Sequence, residues 1–162
     1  MSEPRACSVA RTLDVVGERW SLLVLREVFL GVRRFDLIHK HTGAPRAVLT
    51  ERLRRLVDAG VLRRGEYREE GRRPRHEYEL TEAGRELRPV LTALMQWGDR
   101  YLAGPEGPPL QLRHTDCGAP VRTALICEDG HQLPDSGEGL RAVPRHLASR
   151  EAGDGSAPRG AE

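Results

Sequence analysis

The side chains with chemistry to offer are three cysteines, six histidines and a concentration of arginine in the middle of the chain. His114-x-x-Cys117 and Cys127-x-x-x-His131 each pair an imidazole with a thiol across a short gap. These ligand types and spacings suit a tetrahedral zinc site. His114, Cys117, Cys127 and His131 are therefore candidate metal ligands. A structural zinc is the one cofactor the sequence puts forward, and none is otherwise required. A packed hairpin with incidental His and Cys, or a Cys117–Cys127 redox pair, accounts for the same residues. Cys7 stands just before an amphipathic run. A helix N-terminus favours an anion and hence the reactive thiolate, which makes Cys7 a redox-sensing candidate; the alternative is a small buried hydrophobe. His39 and His41 are two apart, point in different directions on a helix and make a poor ligand pair. With His76 and His146 they read as surface or interface residues. No Gly-rich phosphate loop, nucleophile elbow or acid pair stands out, so the chain is not read as an enzyme.

The net charge of +2 hides an uneven distribution. Residues 33–75 hold thirteen Lys and Arg against six Asp and Glu, a local excess of +7 that leaves −5 for the rest. Compositional bias explains why Lys40 is the only lysine, but not the clustering. A basic middle in a near-neutral chain is the footprint expected of a phosphate-binding face. Three cysteines make no disulfide framework and fit a reducing compartment. No run approaches the roughly 20 apolar residues that span a bilayer. The first ten residues hold no secretory apolar region. The expectation is a cytoplasmic protein without a membrane partner.

The elements encoded along the 162 residues must position these side chains. Residues 45–60 carry Leu49, Leu53, Leu56 and Gly60 at intervals of four, three and four, one face of a helix. Pro45 suits the first helical position and Gly60 the residue past the end. Before it come an amphipathic helix opened by Ser8 and ended by Gly17, a helix over 19–30 with Trp20, Leu23, Val24, Val28 and Leu30 inward, and a short helix over 33–41 with Phe35, Leu37 and Ile38 on its apolar side. Two short helices joined by a Gly-containing turn read as a helix-turn-helix. After it, 61–68 and 75–80 read as strands around a polar, arginine-tipped turn, a wing. Thr81 then caps a long helix lined by Leu87, Val90, Leu91, Leu94, Trp97 and Leu102, which Pro89 either kinks or splits. The fold class is mainly α with a small β-hairpin wing. Residues 7–103 form the winged helix-turn-helix domain, 110–133 a small hairpin, and 136–162 a Gly-, Pro- and Ser-rich tail expected to be disordered.

The stretches CSVARTLDVVGERWSLLVLRE, GVRRFDLIHK, APRAVLTERLRRLVDAGVLRR and YELTEAGREL, in that order over residues 7–97, closely resemble the HxlR-type bacterial transcriptional regulators, relatives of the MarR group. The resemblance implies a winged helix-turn-helix homodimer built through its terminal helices. It also implies recognition helices in successive major grooves of an operator, with the wings on the flanking backbone. Family members often carry Ser where Ala44 stands, capping the recognition helix, and Pro where Ser8 stands. Some sense oxidants or electrophiles through an N-terminal cysteine placed like Cys7.

Phosphate contacts supply affinity and base contacts specificity. On the helix over 45–59, Arg46, Ala47, Thr50, Glu51 and Arg54 lie off the leucine seam and are the groove candidates; Arg54 suits a bidentate pair with guanine, and Thr50 a thymine methyl or a phosphate. Arg72, Arg73 and Arg75 are the candidates on the wing over 68–75, and Arg34 belongs near the start of the preceding helix. Arg52 and Arg55 point off the outward face. The expected partners are a double-stranded DNA operator with an inverted repeat and a second copy of the chain; the effector is left open. A winged-helix module that binds protein is the competing function, and the +7 segment argues against it.

Overall fold

The structure, a computed structural model, describes residues 7–67 and 75–143. Arg72 and Arg73, and the tail beyond residue 143, lie outside the described residues. The elements run α1 (Ser8–Val16), α2 (Arg19–Phe29), α3 (Phe35–Thr42), α4 (Arg46–Asp58), β1 (Leu62–Tyr67), β2 (Arg75–Leu80), α5 (Glu82–Glu86), α6 (Arg88–Tyr101), β3 (Leu125–Ile126) and β4 (Gln132–Leu133). They fall into two units, Met1–Arg122 and Thr123–Glu162.

In the first unit, α2 packs against α3, α4, α6 and β2. Val24, Leu25 and Val28 of α2 meet Ile38 of α3 and Leu49, Leu53 and Leu56 of α4 in one buried cluster, closed by Val61, Leu62 and Tyr78. Removing one such side chain from water is worth about 1.5–3 kcal/mol. The wing is antiparallel, with Leu62 opposite Leu80 and Tyr67 opposite Arg75.

Several boundaries differ from the sequence expectation, each for a tertiary reason. The helix expected over 33–41 starts only at Phe35, because Arg33 and Arg34 extend along β2: the Tyr78 N–H donates to the Arg33 carbonyl and Arg34 bridges Glu77. The helix expected over 45–59 starts at Arg46, with Pro45 outside it as the N-cap residue and no side-chain cap. Ala44 is completely buried, and its N–H donates to the Thr42 hydroxyl at 3.3 Å. Ser8 is the first residue inside α1, and Cys7 holds the cap position. Leu25 joins the core, whereas Leu30 and Leu37 are exposed. The helix expected after Thr81 splits: Leu87 ends α5 and begins α6, and Pro89 sits in the first turn of α6, where its missing N–H costs nothing. Residues 110–133 do not form one hairpin. Arg113 bridges Pro120 in one turn, and β3 pairs with β4 in a second that belongs to the other unit.

The corner from β2 into α5 is tight. The Thr81 hydroxyl donates to the Gly60 carbonyl at 2.6 Å and accepts from the Gly84 N–H at 3.1 Å. A Cβ on Gly84 would stand 2.2 Å from the Val61 carbonyl oxygen, which is backbone and cannot rotate away. We expect Gly84→Ala to destabilise the protein by about 1–3 kcal/mol, read as a lower denaturation midpoint; an unchanged midpoint would show that this corner is loose.

Candidate nucleic-acid interface

With Leu49, Leu53 and Leu56 fully buried, the opposite side of α4 faces outward: Arg46, Ala47, Thr50, Arg54 and Arg55 are exposed and Glu51 is half-buried. Gly43 sets the approach to this helix. Its φ of 68° ends α3, and its N–H donates to the His39 carbonyl at 2.9 Å.

Asp36, in the first turn of α3, draws three elements together. Its carboxylate accepts from Arg46 of α4 at 3.2 Å and lies 3.5 Å from the Arg75 guanidinium at the base of the wing. Arg46 also lies over the Phe35 ring at 5.1 Å, and Arg34 over the Tyr67 ring at 4.4 Å. Arg34, Arg46 and Arg75 thus share one neighbourhood built from α3, α4 and the wing. Arg72 and Arg73 lie outside the described residues.

Further along α4, Arg54 is held by carboxylates of its own helix. Its Nε and Nη2 donate to Glu51 at 3.0 Å, and its Nη1 donates to Asp58 at 2.6 Å. Arg55 adds a bond to Glu51 at 2.7 Å. The hydrogen bonds from Arg54, then from Arg55, pull the Glu51 carboxyl down to about 2, and the Arg54 guanidinium shifts upward in turn. A depressed carboxyl favours the folded state above the ordinary carboxylate range and loses that contribution as pH falls through about 2. Glu51 is therefore fully ionised at neutral pH. The whole network is exposed, so water and salt screen it and its arginines can exchange partners. The Thr50 hydroxyl donates to the Arg46 carbonyl at 2.9 Å. Of the two arginines expected off the outward face, Arg55 is exposed, whereas Arg52 is half-buried and its Nε has no hydrogen-bond partner among the described residues.

Two carboxylates here were not singled out from sequence. Glu79 of β2 accepts from Arg33 and Arg63, and these bonds hold its carboxyl below the ordinary range, Arg63 contributing most. Glu27 is buried in α2, accepts from Arg26 at 2.6 Å and bonds His41 Nδ1 at 2.8 Å, tying α2 to the last turn of α3. Its position three residues after Val24, on the inward face, was the available signal.

Cys7 is an exposed free thiol at the N-cap of α1, where its side chain makes no capping bond. The metal-ligand candidates come together as pairs. His114 Nδ1 lies 3.3 Å from Cys117 Sγ in the first unit, and Cys127 Sγ lies 3.5 Å from His131 Nδ1 in the second. No described helix is long and apolar enough to cross a membrane.

Known proteins share this architecture. The HxlR-like helix-turn-helix family matches residues 15–106. The uncharacterised HTH-type transcriptional regulator Rv3095 of Mycobacterium tuberculosis is 49% identical over 142 residues, covering 83% of this chain and 89% of its own. Among solved structures, PA1607, assigned as a transcription factor, matches with a TM-score of 0.72 at 37% identity, over 88% of this chain and 97% of that one. The redox regulator HypR in its oxidised form matches with a TM-score of 0.54 at 30% identity, over 60% of this chain and 100% of that one. With its mainly helical first unit, its antiparallel wing and a helix-turn-helix at α3 and α4, the chain belongs to the HxlR-like helix-turn-helix family of transcriptional regulators.

Proposed function

We propose that this regulator is a homodimer that binds an inverted-repeat operator, with α4 in the major groove and the wing on the flanking backbone. The observation that carries the reading is the outward face of α4. Arg46, Ala47, Thr50 and Arg54 are exposed together there, with Arg75 joined to Arg46 through Asp36 and Arg34 over the Tyr67 ring of the wing. Arg54 exchanges its carboxylates for a guanine edge, the Thr50 methyl meets a thymine, and Arg34, Arg46, Arg72, Arg73 and Arg75 meet phosphates. Glu51 stays ionised and repels phosphate, so DNA is held only where base contacts repay that repulsion. Occupying a promoter excludes other proteins from it, and on that ground we propose a repressor.

The dimer reading is supported by α1 and α6. Val9 is 65% exposed, Leu94 50%, Trp97 58% and Tyr101 61%, an apolar surface that a second copy would cover. A second reading concerns the signal: oxidation of Cys7 releases DNA. Its support is the exposure of Cys7 at the start of α1, together with the likeness to HypR, a redox regulator.

Gel-shift titrations on operator and unrelated DNA, across a range of salt, test the main reading. We expect Arg54→Ala to weaken operator binding and cut base discrimination roughly tenfold. Arg72→Ala should weaken binding to all sequences alike and lower the salt slope by about one. No change in either variant would sink the placement, and a chain that shifts no DNA at low salt would be a protein-binding module. Glu51→Gln removes a negative charge from the groove face, so affinity for unrelated DNA should rise, on the order of 3- to 10-fold at low salt; unchanged or weaker binding would contradict the repulsive role. For the second reading, diamide or a quinone should abolish operator binding by the wild type and spare Cys7→Ser, whereas equal responses would rule Cys7 out as the sensor.

A further inference from the structure

The second unit has little to hold it together. Among its described residues none is buried; Leu125 is 48% and Ile126 63% exposed. Its strands β3 and β4 are two residues each. A two-stranded hairpin of this kind is marginal alone, and units too small for a core commonly depend on a disulfide or a metal. All three cysteines of the described residues are free thiols.

The turn between β3 and β4 gathers metal-binding groups. The Gly130 N–H donates to the Cys127 carbonyl at 2.9 Å, and the Cys127 N–H donates to the His131 carbonyl at 3.0 Å. Gly130 takes a φ of 83°, which lets the chain reverse between Asp129 and His131. As a result, one donor atom each from Cys127, Asp129 and His131 lies within 4.8 Å of the others. Zinc–sulfur and zinc–nitrogen bonds of ordinary length at a tetrahedral angle place the two donors about 3.5 Å apart. Cys127 Sγ and His131 Nδ1 stand at 3.5 Å. A thiol–imidazole hydrogen bond would give the same separation, but it explains neither the third donor nor what orders a hairpin with no buried residue among those described. The same pairing recurs in the first unit, where the Gly118 N–H donates to the His114 carbonyl at 2.9 Å and brings His114 Nδ1 to 3.3 Å from Cys117 Sγ. Asp116 of that turn lies 3.8 Å from His114 Nε2, but among the described residues three donors lie mutually within 4.8 Å only in the turn between β3 and β4.

We propose that Cys127, Asp129 and His131 bind a divalent ion of the zinc type, with thiolate, carboxylate and imidazole as ligands and a fourth position taken by water or a further donor. The ion replaces a hydrophobic core as the staple of the β3–β4 hairpin. The Cys127 thiol loses its proton to solvent on binding, so affinity falls as pH is lowered. This inference stands independently of the DNA reading.

The test uses the full chain, purified under reducing conditions without chelator. Zinc is measured by elemental analysis, and cobalt is titrated while the thiolate-to-cobalt charge-transfer band is followed. Wild type should carry about one zinc per chain and develop the band. Cys127→Ser should lose both, and His131→Ala and Asp129→Asn should weaken cobalt binding, with the helical circular-dichroism signal unchanged because the substituted residues lie outside the helical core. Loss in Cys127→Ser supports the assignment whatever Cys117→Ser does. Wild type that binds neither zinc nor cobalt would overturn it, and so would full zinc and an undiminished band in Cys127→Ser.

Discussion

The structure depends on burying one face of α4 against α2, in a core that Ile38 of α3 also joins. Leu49, Leu53 and Leu56 are completely buried, and each would cost about 2–5 kcal/mol if cut to alanine. The ion pairs on the other side of the same helix are exposed, and pairs of that kind contribute little to stability. The two sides therefore have separate tasks. The leucines fix the rotation of α4 about its axis, and that rotation alone decides that Arg46, Ala47, Thr50 and Arg54 face outward. The arginines contribute so little to folding that they remain available to a ligand.

Electrostatics on the outward side follow a common pattern. Asp36 faces Arg46 and Arg75, Glu51 and Asp58 face Arg54, and Glu79 faces Arg33 and Arg63. On the proposed reading these arginines are held in place before a phosphate arrives, at the cost of an exchange when one does. Exposed pairs in water make that exchange cheap, and on the same reading the acids that remain behind would penalise loosely held polyanions more than well-fitted ones. A high local arginine count and a modest net charge are in this sense one device.

How much of this was legible depended on how local each cause is. The seam of α4 was readable because its periodicity lies within sixteen residues, and a break at Pro89, as a kink or a split, because proline acts on its own turn. The start of α3 was not readable, since Arg33 and Arg34 are taken by β2, more than forty residues away in sequence. Amphipathic periodicity in α1 and α6 correctly marked an apolar face, but Val9, Leu13 and Trp97 are exposed in this chain, and a period cannot say which molecule covers the face. At the site, the outward residues of α4 followed from the seam by elimination. The partners of Arg54 were also in the sequence, three residues before and four after it, a spacing at which helical ion pairs form.

α3, which leads into α4, is short and is held by apolar and polar contacts together. Its eight residues bury a single side chain, Ile38. Phe35 also packs against the core cluster, and polar contacts at the two ends of the helix add to that burial. At its start, the Tyr78 N–H takes the Arg33 carbonyl as acceptor; at its end, His41 bonds the buried carboxylate of Glu27. A carboxylate at 4% exposure would be costly without partners, and Glu27 has two, Arg26 and His41. Because the neighbouring groups give the carboxylate few other ways to be satisfied, the last turn of α3 is tied to a definite place on α2. The chain leaves that turn through Gly43 and enters α4 three residues later. Glu27 thus ties to α2 the last turn of α3, from which the chain runs on into α4.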